Sequence, residues 1–337
     1  MEGVNTSVNN VIINMWHIKN TNGLFYYSLD YINSLEKTHK IILRKGFPEN
    51  KAIDRLKEKH NIINLNLLQY IMFFCYSLFS DVFIFTPSSH PLPFLKKQLI
   101  IVHDMYPFTG NKGWLKTILF KISVKSAKCK VGYINSSSVK KELIEISIPE
   151  DKLLFCPNKF PIKSEPSITL LPPNDTVMKI GLVGTDSDKK NYHELFTQVR
   201  RHHLEKKFKF LIYGHDTEYY KKLRSSFQDL DISLIRSDNC QLEFFFAKVN
   251  ALISVCIMEG FGRPIATALV NNLPTHLIRC DVFEEFFEGG AYFYQNIDDL
   301  LSGVQKSAVN SSLKSFSPPV RVLNAYESAV EFIKAGR

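Results

Sequence analysis

Alternation constrains this chain more than any other feature of its sequence. Short apolar runs of strand character lie at residues 11–16, 40–44, 62–65, 82–86, 99–103, 131–135 and 153–156. Helical patterns fall between several of them, at about 24–36, 50–60, 67–79, 114–128 and 138–146, and Ser136, Ser137 and Ser138 offer N-caps for the last. A second series of runs follows at 179–183, 208–213, 232–235, 251–255, 275–278 and 291–294, and a closing helix is expected over about 320–334. Alternation of this kind requires right-handed crossovers and a mostly parallel sheet. A chain of 337 residues exceeds what one core usually holds. Residues 157–176 carry five prolines and little periodicity, so they read as an interdomain linker. The expectation is an α/β chain of two Rossmann-like parallel-sheet domains, 1–160 and 161–317, with a terminal helix at 318–337 packing back toward the first. Sheets facing one another in this way put their strand C-termini, and any ligand, in the cleft between them.

Charge separates the two halves. Residues 1–160 carry 21 Lys and Arg against 12 Asp and Glu, whereas residues 161–337 carry 21 against 21, so the net charge of +9 belongs to the first half. Such asymmetry points to an anionic partner or to a solvated basic face. No nucleic-acid recognition motif accompanies it, and nucleic acid is not among the expected partners. Six scattered cysteines without a Cys-x-x-Cys pair argue for a reducing compartment and against a disulfide framework or a zinc site. The polar start, residues 1–10, lacks the order of a signal peptide. The most apolar stretch, 67–85, is broken by Gln69, Ser77, Ser80 and Asp81, and reads as a buried helix followed by a buried strand rather than a membrane span. Residues 114–130 place Trp114, Leu115, Ile118, Leu119 and Ile122 on one helical face and Lys121, Lys125 and Lys128 on another. That pattern suits either a core helix with a wet basic side or a helix lying on an anionic membrane.

The chemistry-bearing residues cluster where strands end. After the run at 251–255 comes Glu259-Gly260-Phe261-Gly262-Arg263-Pro264, then a helical pattern. Two glycines beside a helix start let backbone N–H groups approach an anion, the helix dipole adds attraction, and proline suits the first turn. A carboxylate there would repel phosphate, so it fits sugar hydroxyls better. Taken alone, the element reads equally as a tight turn with an incidental glutamate. Gly184 closes the run at 179–183, and Asp186, Asp188, Lys189 and Lys190 follow. A lysine at the start of the next helix can neutralise a departing diphosphate; a solvated charged turn is the alternative. His103-Asp104 ends the run at 99–103, at the ligand-facing edge of a parallel sheet, and Gly23 precedes the first helix.

These residues, in this order, resemble glycosyltransferase family four, whose members are retaining enzymes of the GT-B fold. Gly181 to Gly184 is similar to that family's glycine-ended strand, Lys190-Asn191 to its diphosphate-contacting lysine, and residues 259–264 to its donor-site signature. The first half fits more loosely, through Gly23, His103-Asp104 and Pro157-Asn158. Two positions depart from the pattern. Thr267 stands where the signature has its second glutamate, separated from Glu259 by seven residues, and Thr185 where an arginine joins the lysine. The resemblance implies an acceptor-side first domain and a donor-side second domain. It implies transfer from a nucleotide diphosphate sugar, with retention, to a glycan or lipid-linked acceptor, in bacterial surface polysaccharide synthesis. Glu259, Lys190 and His103 would act in catalysis. Gly23, Asp104, Gly184, Gly260, Phe261, Gly262, Arg263 and Thr267 would line the substrate, with Arg263 and Lys189 left to replace the missing arginine. Neither metal nor cofactor is required, and a cytoplasmic location is expected, with the basic half able to meet the inner face of a membrane. The two threonines leave a second outcome open, a catalytically silent accessory protein that binds glycan or a partner.

Overall fold

The computed structural model describes residues 11–105, 108, 113–126, 128–163, 177–256, 258–307 and 315–336. The expectations for residues 1–10 and for most of the proline-rich stretch lie outside these residues. The chain divides into two compact units, Met1–Lys159 with Val320–Arg337, and Phe160–Pro319.

The first unit holds seven parallel strands: β1 (Val11–Asn14), β2 (Lys40–Arg44), β3 (Asn61–Leu65), β4 (Phe83–Thr86), β5 (Lys97–Val102), β6 (Lys128–Tyr133) and β7 (Leu153–Phe155). Their order, β3-β2-β1-β4-β5-β6-β7, reverses beside β1. Strands buried on both faces need continuous apolar runs, which is what β1, β4 and β5 supply. One face of the sheet packs against α1 (Gly23–Asn33), through Phe25, Tyr27 and Tyr31, and against α12 (Val320–Ala335), through Tyr326, Ala329 and Ile333. Buried phenols find partners there: Tyr27 donates to the Cys156 carbonyl and Tyr31 to the Pro157 carbonyl, both at 2.9 Å, and Tyr326 to the Asp30 carbonyl at 2.7 Å.

The second unit holds six parallel strands: β8 (Met178–Val183), β9 (Phe208–Gly214), β10 (Ile232–Arg236), β11 (Ala251–Ser254), β12 (Thr275–Ile278) and β13 (Tyr292–Tyr294). The order is β10-β9-β8-β11-β12-β13, reversing beside β8. Its core is aromatic-rich, with Phe196, Phe208, Phe210 and Phe227 together under α6 (Tyr192–Arg201).

Three expectations change. The helix α3 (Leu67–Phe79) is not a buried element. It packs Tyr70, Phe73, Phe74 and Leu78 against Ile12, Ile42 and Ile84, but leaves Leu68, Met72, Tyr76 and Phe79 at 64–88% exposure. Average hydrophobicity could not show this, because a helix that is apolar all round has no marked inner face. The helix α4 (Gly113–Ser123) stops before Lys125, and Lys128 opens β6, so those two lysines leave the helical face. The cap near residue 136 is Asn135, whose side chain accepts from the amides of Ser138 and Val139, rather than one of the serines. Among the described residues no helix is long and apolar enough to cross a membrane.

Candidate functional site

In an open parallel sheet, the loops leaving two neighbouring strands on either side of an order reversal diverge and leave a crevice at the strands' C-terminal ends. In the second unit those strands are β8 and β11. β8 delivers Gly184, whose φ of +103° is unsuited to other residues, and a Cβ there would meet the Lys190 side chain at 2.6 Å. Glycine is therefore what lets Lys190 cross the end of its own strand. Asn191, at φ +54°, turns the chain into α6, and the Tyr192 hydroxyl donates back to the Val183 carbonyl at 2.9 Å.

β11 delivers Glu259. The Lys190 Nζ donates to Glu259 Oε1 at 2.7 Å, with 21% and 27% of the two side chains exposed. Burial works against the lysine's charge, but Glu259, with smaller help from Cys256 and Asp186, outweighs it and holds the ammonium above its ordinary value. The pair's contribution to stability is thus full below the unfolded lysine value and disappears only as pH rises through the raised one. The loop is fixed by Phe261, 3% exposed, whose ring meets Phe160, Phe286 and Phe287 with centroids 4.8–5.7 Å apart. The Phe261 side chain is an anchor rather than a ligand contact; only its backbone remains for substrate. Gly262, at φ +87°, then starts α9 (Arg263–Val270) without a side-chain cap, with Pro264 in the first turn. Lys190, Glu259, Gly262 and Pro264 line one small open pocket.

The two threonines are differently placed. Thr185 is 3% exposed, and its hydroxyl donates to the His215 carbonyl at 2.8 Å while accepting from the His215 amide at 2.9 Å. It ties the loop after β8 to the loop after β9. Thr267 returns its hydroxyl to the Arg263 carbonyl at 3.1 Å, within α9. Arg263 and Gly260 are partly exposed beside the pocket-lining residues. Among the described residues no three His, Cys, Asp or Glu side chains converge as metal ligands would.

In the first unit the order reversal lies between β1 and β4. His103 follows β5, one strand away; its Nε2 lies 3.1 Å from the Pro87 carbonyl, and its ring stands edge-on to Tyr27. Asp104 is exposed, and Gly23, the first residue of α1, is exposed with open space where a Cβ would stand. The loops at the reversal itself bring together a pair that sequence reasoning missed: His17 and His90 stack with centroids 4.2 Å and planes 9° apart. Each lies a few residues beyond a strand end, the only signal available beforehand. Beneath them Asn14, fully buried, donates to the hydroxyls of Tyr70 at 3.0 Å and Thr86 at 3.4 Å. Burial, then His90, Arg44 and Lys19, push His17 from 6.5 down to about 3.

Two expected results follow from this geometry. Gly184→Ala should displace Lys190 and lower the melting temperature, whereas Gly23→Ala should leave it unchanged; equal thermal stability losses in both would contradict the placement. His17 binds its proton more readily when unfolded, so stability should fall as pH drops from 6.5 toward 3. His17→Gln should flatten that acid limb in melting curves taken across the range.

Two parallel α/β units with these strand orders define the GT-B fold. No family model matches the sequence. The chain is 25% identical over 225 residues to the O-antigen chain mannosyltransferase RfbU of Salmonella typhimurium (strain LT2), a match covering 63% of this chain and 60% of that protein. Among solved structures it is similar to Anabaena HepE (Alr3699) in complex with UDP and glucose, with a TM-score of 0.69 and 13% identity over 97% of each chain. It is likewise similar to WaaG, a glycosyltransferase involved in lipopolysaccharide biosynthesis, with a TM-score of 0.65 and 12% identity over 96% of this chain and 99% of that one.

Proposed function

We propose that this chain is a glycosyltransferase that moves a sugar, with retention, from a nucleotide diphosphate sugar to a glycan or lipid-linked acceptor in surface polysaccharide synthesis. The observation that carries the reading is the Lys190–Glu259 pair, held at 2.7 Å in the crevice between β8 and β11, beside an uncapped helix start. The ammonium would pass from Glu259 to the donor's diphosphate and the freed carboxylate would take the sugar's hydroxyls. Backbone amides of 260–262 and the α9 dipole would add to the same anion site. Electrostatic stabilisation of the departing diphosphate is then the main source of rate, without metal or cofactor. In the first unit, His103, Asp104 and the amide of Gly23 would take substrate hydroxyl or phosphate groups, and the His17–His90 pair would face the acceptor. UDP with glucose in HepE and the mannosyltransferase name of RfbU support a nucleotide-sugar donor. The chain would be a divergent member of glycosyltransferase family four, working in the cytoplasm with its basic first half drawn to an anionic membrane carrying the acceptor.

The test is a melting screen against UDP, GDP and their sugars, followed by a transfer assay with the stabilising donor. A ligand at 100 times its Kd stabilises by about 2.7 kcal/mol. If no nucleotide stabilises the chain, the donor site is wrong.

Thr185 favours a second reading. Its side chain is committed to the His215 backbone, so the usual cation is replaced by a structural tie. A GT-B protein that binds glycan or a partner without turnover would show nucleotide or glycan binding but no donor hydrolysis. Thr267→Glu separates the readings further: in an enzyme it should raise donor affinity, and a nucleotide complex with the ribose far from residue 267 would refute that role.

A further inference from the structure

The first unit carries an apolar surface that the donor chemistry does not use. Along α3, Leu68, Met72, Tyr76 and Phe79 form a stripe at 64–88% exposure, on a helix with no charged residue. A capping box formed by Asn66 and Gln69 closes its N-terminus, so the helix is well formed despite this exposure. On α4, Trp114, Leu115, Ile118 and Leu119 are 45–66% exposed. Both helices lie on one face of the sheet. Tyr70 of α3 packs with Ile84, the register pairs Ile84 with Gln98, and Gln98 Nε2 donates to the carbonyl of Ser123 at the end of α4. In the connection between β4 and β5, Leu92 and Leu95 are buried while Phe94 is 71% exposed at a φ of +63°. A bulky residue in the left-handed region, turned outward, is uncommon. Contiguous exposed apolar area of this kind marks an interaction surface.

Charge selects the occupant. From residue 61 to residue 141 the sequence has ten lysines and two acidic residues, Asp81 and Asp104. Asp81 is already paired with Lys97 at 2.6 Å. Lys96 and Lys116 are exposed within the segments that carry the apolar side chains, and Lys125 is exposed two residues beyond the end of α4. A second copy docked by two-fold symmetry would bring this lysine-rich face onto itself, which like charges oppose. An anionic bilayer satisfies both halves of the surface, taking apolar and aromatic side chains at the headgroup–acyl boundary and lysines among the headgroups.

We infer that α3, Phe94 and α4 together insert into the surface of an anionic membrane, seating the first unit in the bilayer rather than merely attracting it. This deepens the reading of a membrane-borne acceptor, and it differs from charge attraction alone in one respect: insertion survives salt.

The test uses the full chain and vesicles of phosphatidylcholine with and without phosphatidylglycerol, so it does not depend on turnover. Of the two tryptophans, Trp16 is buried and Trp114 is 66% exposed. In a Trp16→Phe background, Trp114 emission should shift to the blue on anionic vesicles and be quenched by brominated acyl chains. Binding once formed should persist in high salt. The triple variant Met72→Ser, Tyr76→Ser, Phe79→Ser removes three exposed side chains, so its melting should be unchanged while its vesicle affinity falls by about 100-fold or more. Binding that high salt abolishes and the triple variant retains would overturn insertion while leaving electrostatic attraction and the donor chemistry intact. A chain that ignores vesicles, or whose soluble dimer is dissociated by the triple variant, would overturn it outright. Loss of nucleotide binding with vesicle binding intact would instead count against the donor site.

Discussion

Lys190→Ala and Glu259→Ala should each lower transfer by about 100- to 1,000-fold, the loss of roughly 2.7–4 kcal/mol that follows removal of a preorganised charged contact. Both side chains are partly exposed and belong to loops fixed by other residues, Tyr192 for one and Phe261 for the other, so the fold should survive. The double variant should cost much less than the sum, because the two groups touch and each single change strands its partner. Lys190→Arg keeps the charge but not the shape and should recover only part of the rate. The measurements are kcat and KM with the donor found by the melting screen. Near-wild-type turnover in folded single variants would remove the mechanism.

Phe261→Ala should be the most destabilising change near the site. Its ring is enclosed by Phe160, Phe286 and Phe287. Emptying such a space costs about 3–5 kcal/mol, or about 6–20 °C in the melting of the second unit. Because Phe261 holds the loop that carries Glu259, donor KM should rise as well, and Phe261→Leu should restore most of the melting temperature. An unchanged transition in Phe261→Ala would mean that the aromatic cluster does not anchor the loop.

The strand series and the glycine-bounded loops were legible because parallel strands and tight strand-to-helix turns leave local marks in sequence. Gly184 and residues 259–264 could be read from spacing alone. What Gly184 does for Lys190 could not, since it depends on a side chain six residues away crossing the strand end. The role of Phe261 was hidden because a large residue between two glycines looks like a contact until the partners from α10 (Asp281–Phe287) are brought to it. α3 misled for the opposite reason: it is apolar all round, and only packing shows that one side has no neighbour. His17 and His90, 73 residues apart, meet only through the strand order.

The tie made by Thr185 bears on how this chain can change over generations. A Cβ on Gly214 would lie 2.5 Å from the Thr185 hydroxyl, so the loop after β9 has closed tightly around a small residue. Thr217 also donates to the Thr185 carbonyl, adding a third strut to the two with His215. An arginine introduced at 185 would meet a site shaped for a side chain four bonds shorter, and would break the struts before gaining any anion. A cation at 185 is therefore not reached by a single substitution without loss of these struts, and a stronger anion grip at this crevice would have to come through Arg263, Lys189 or Thr267 instead.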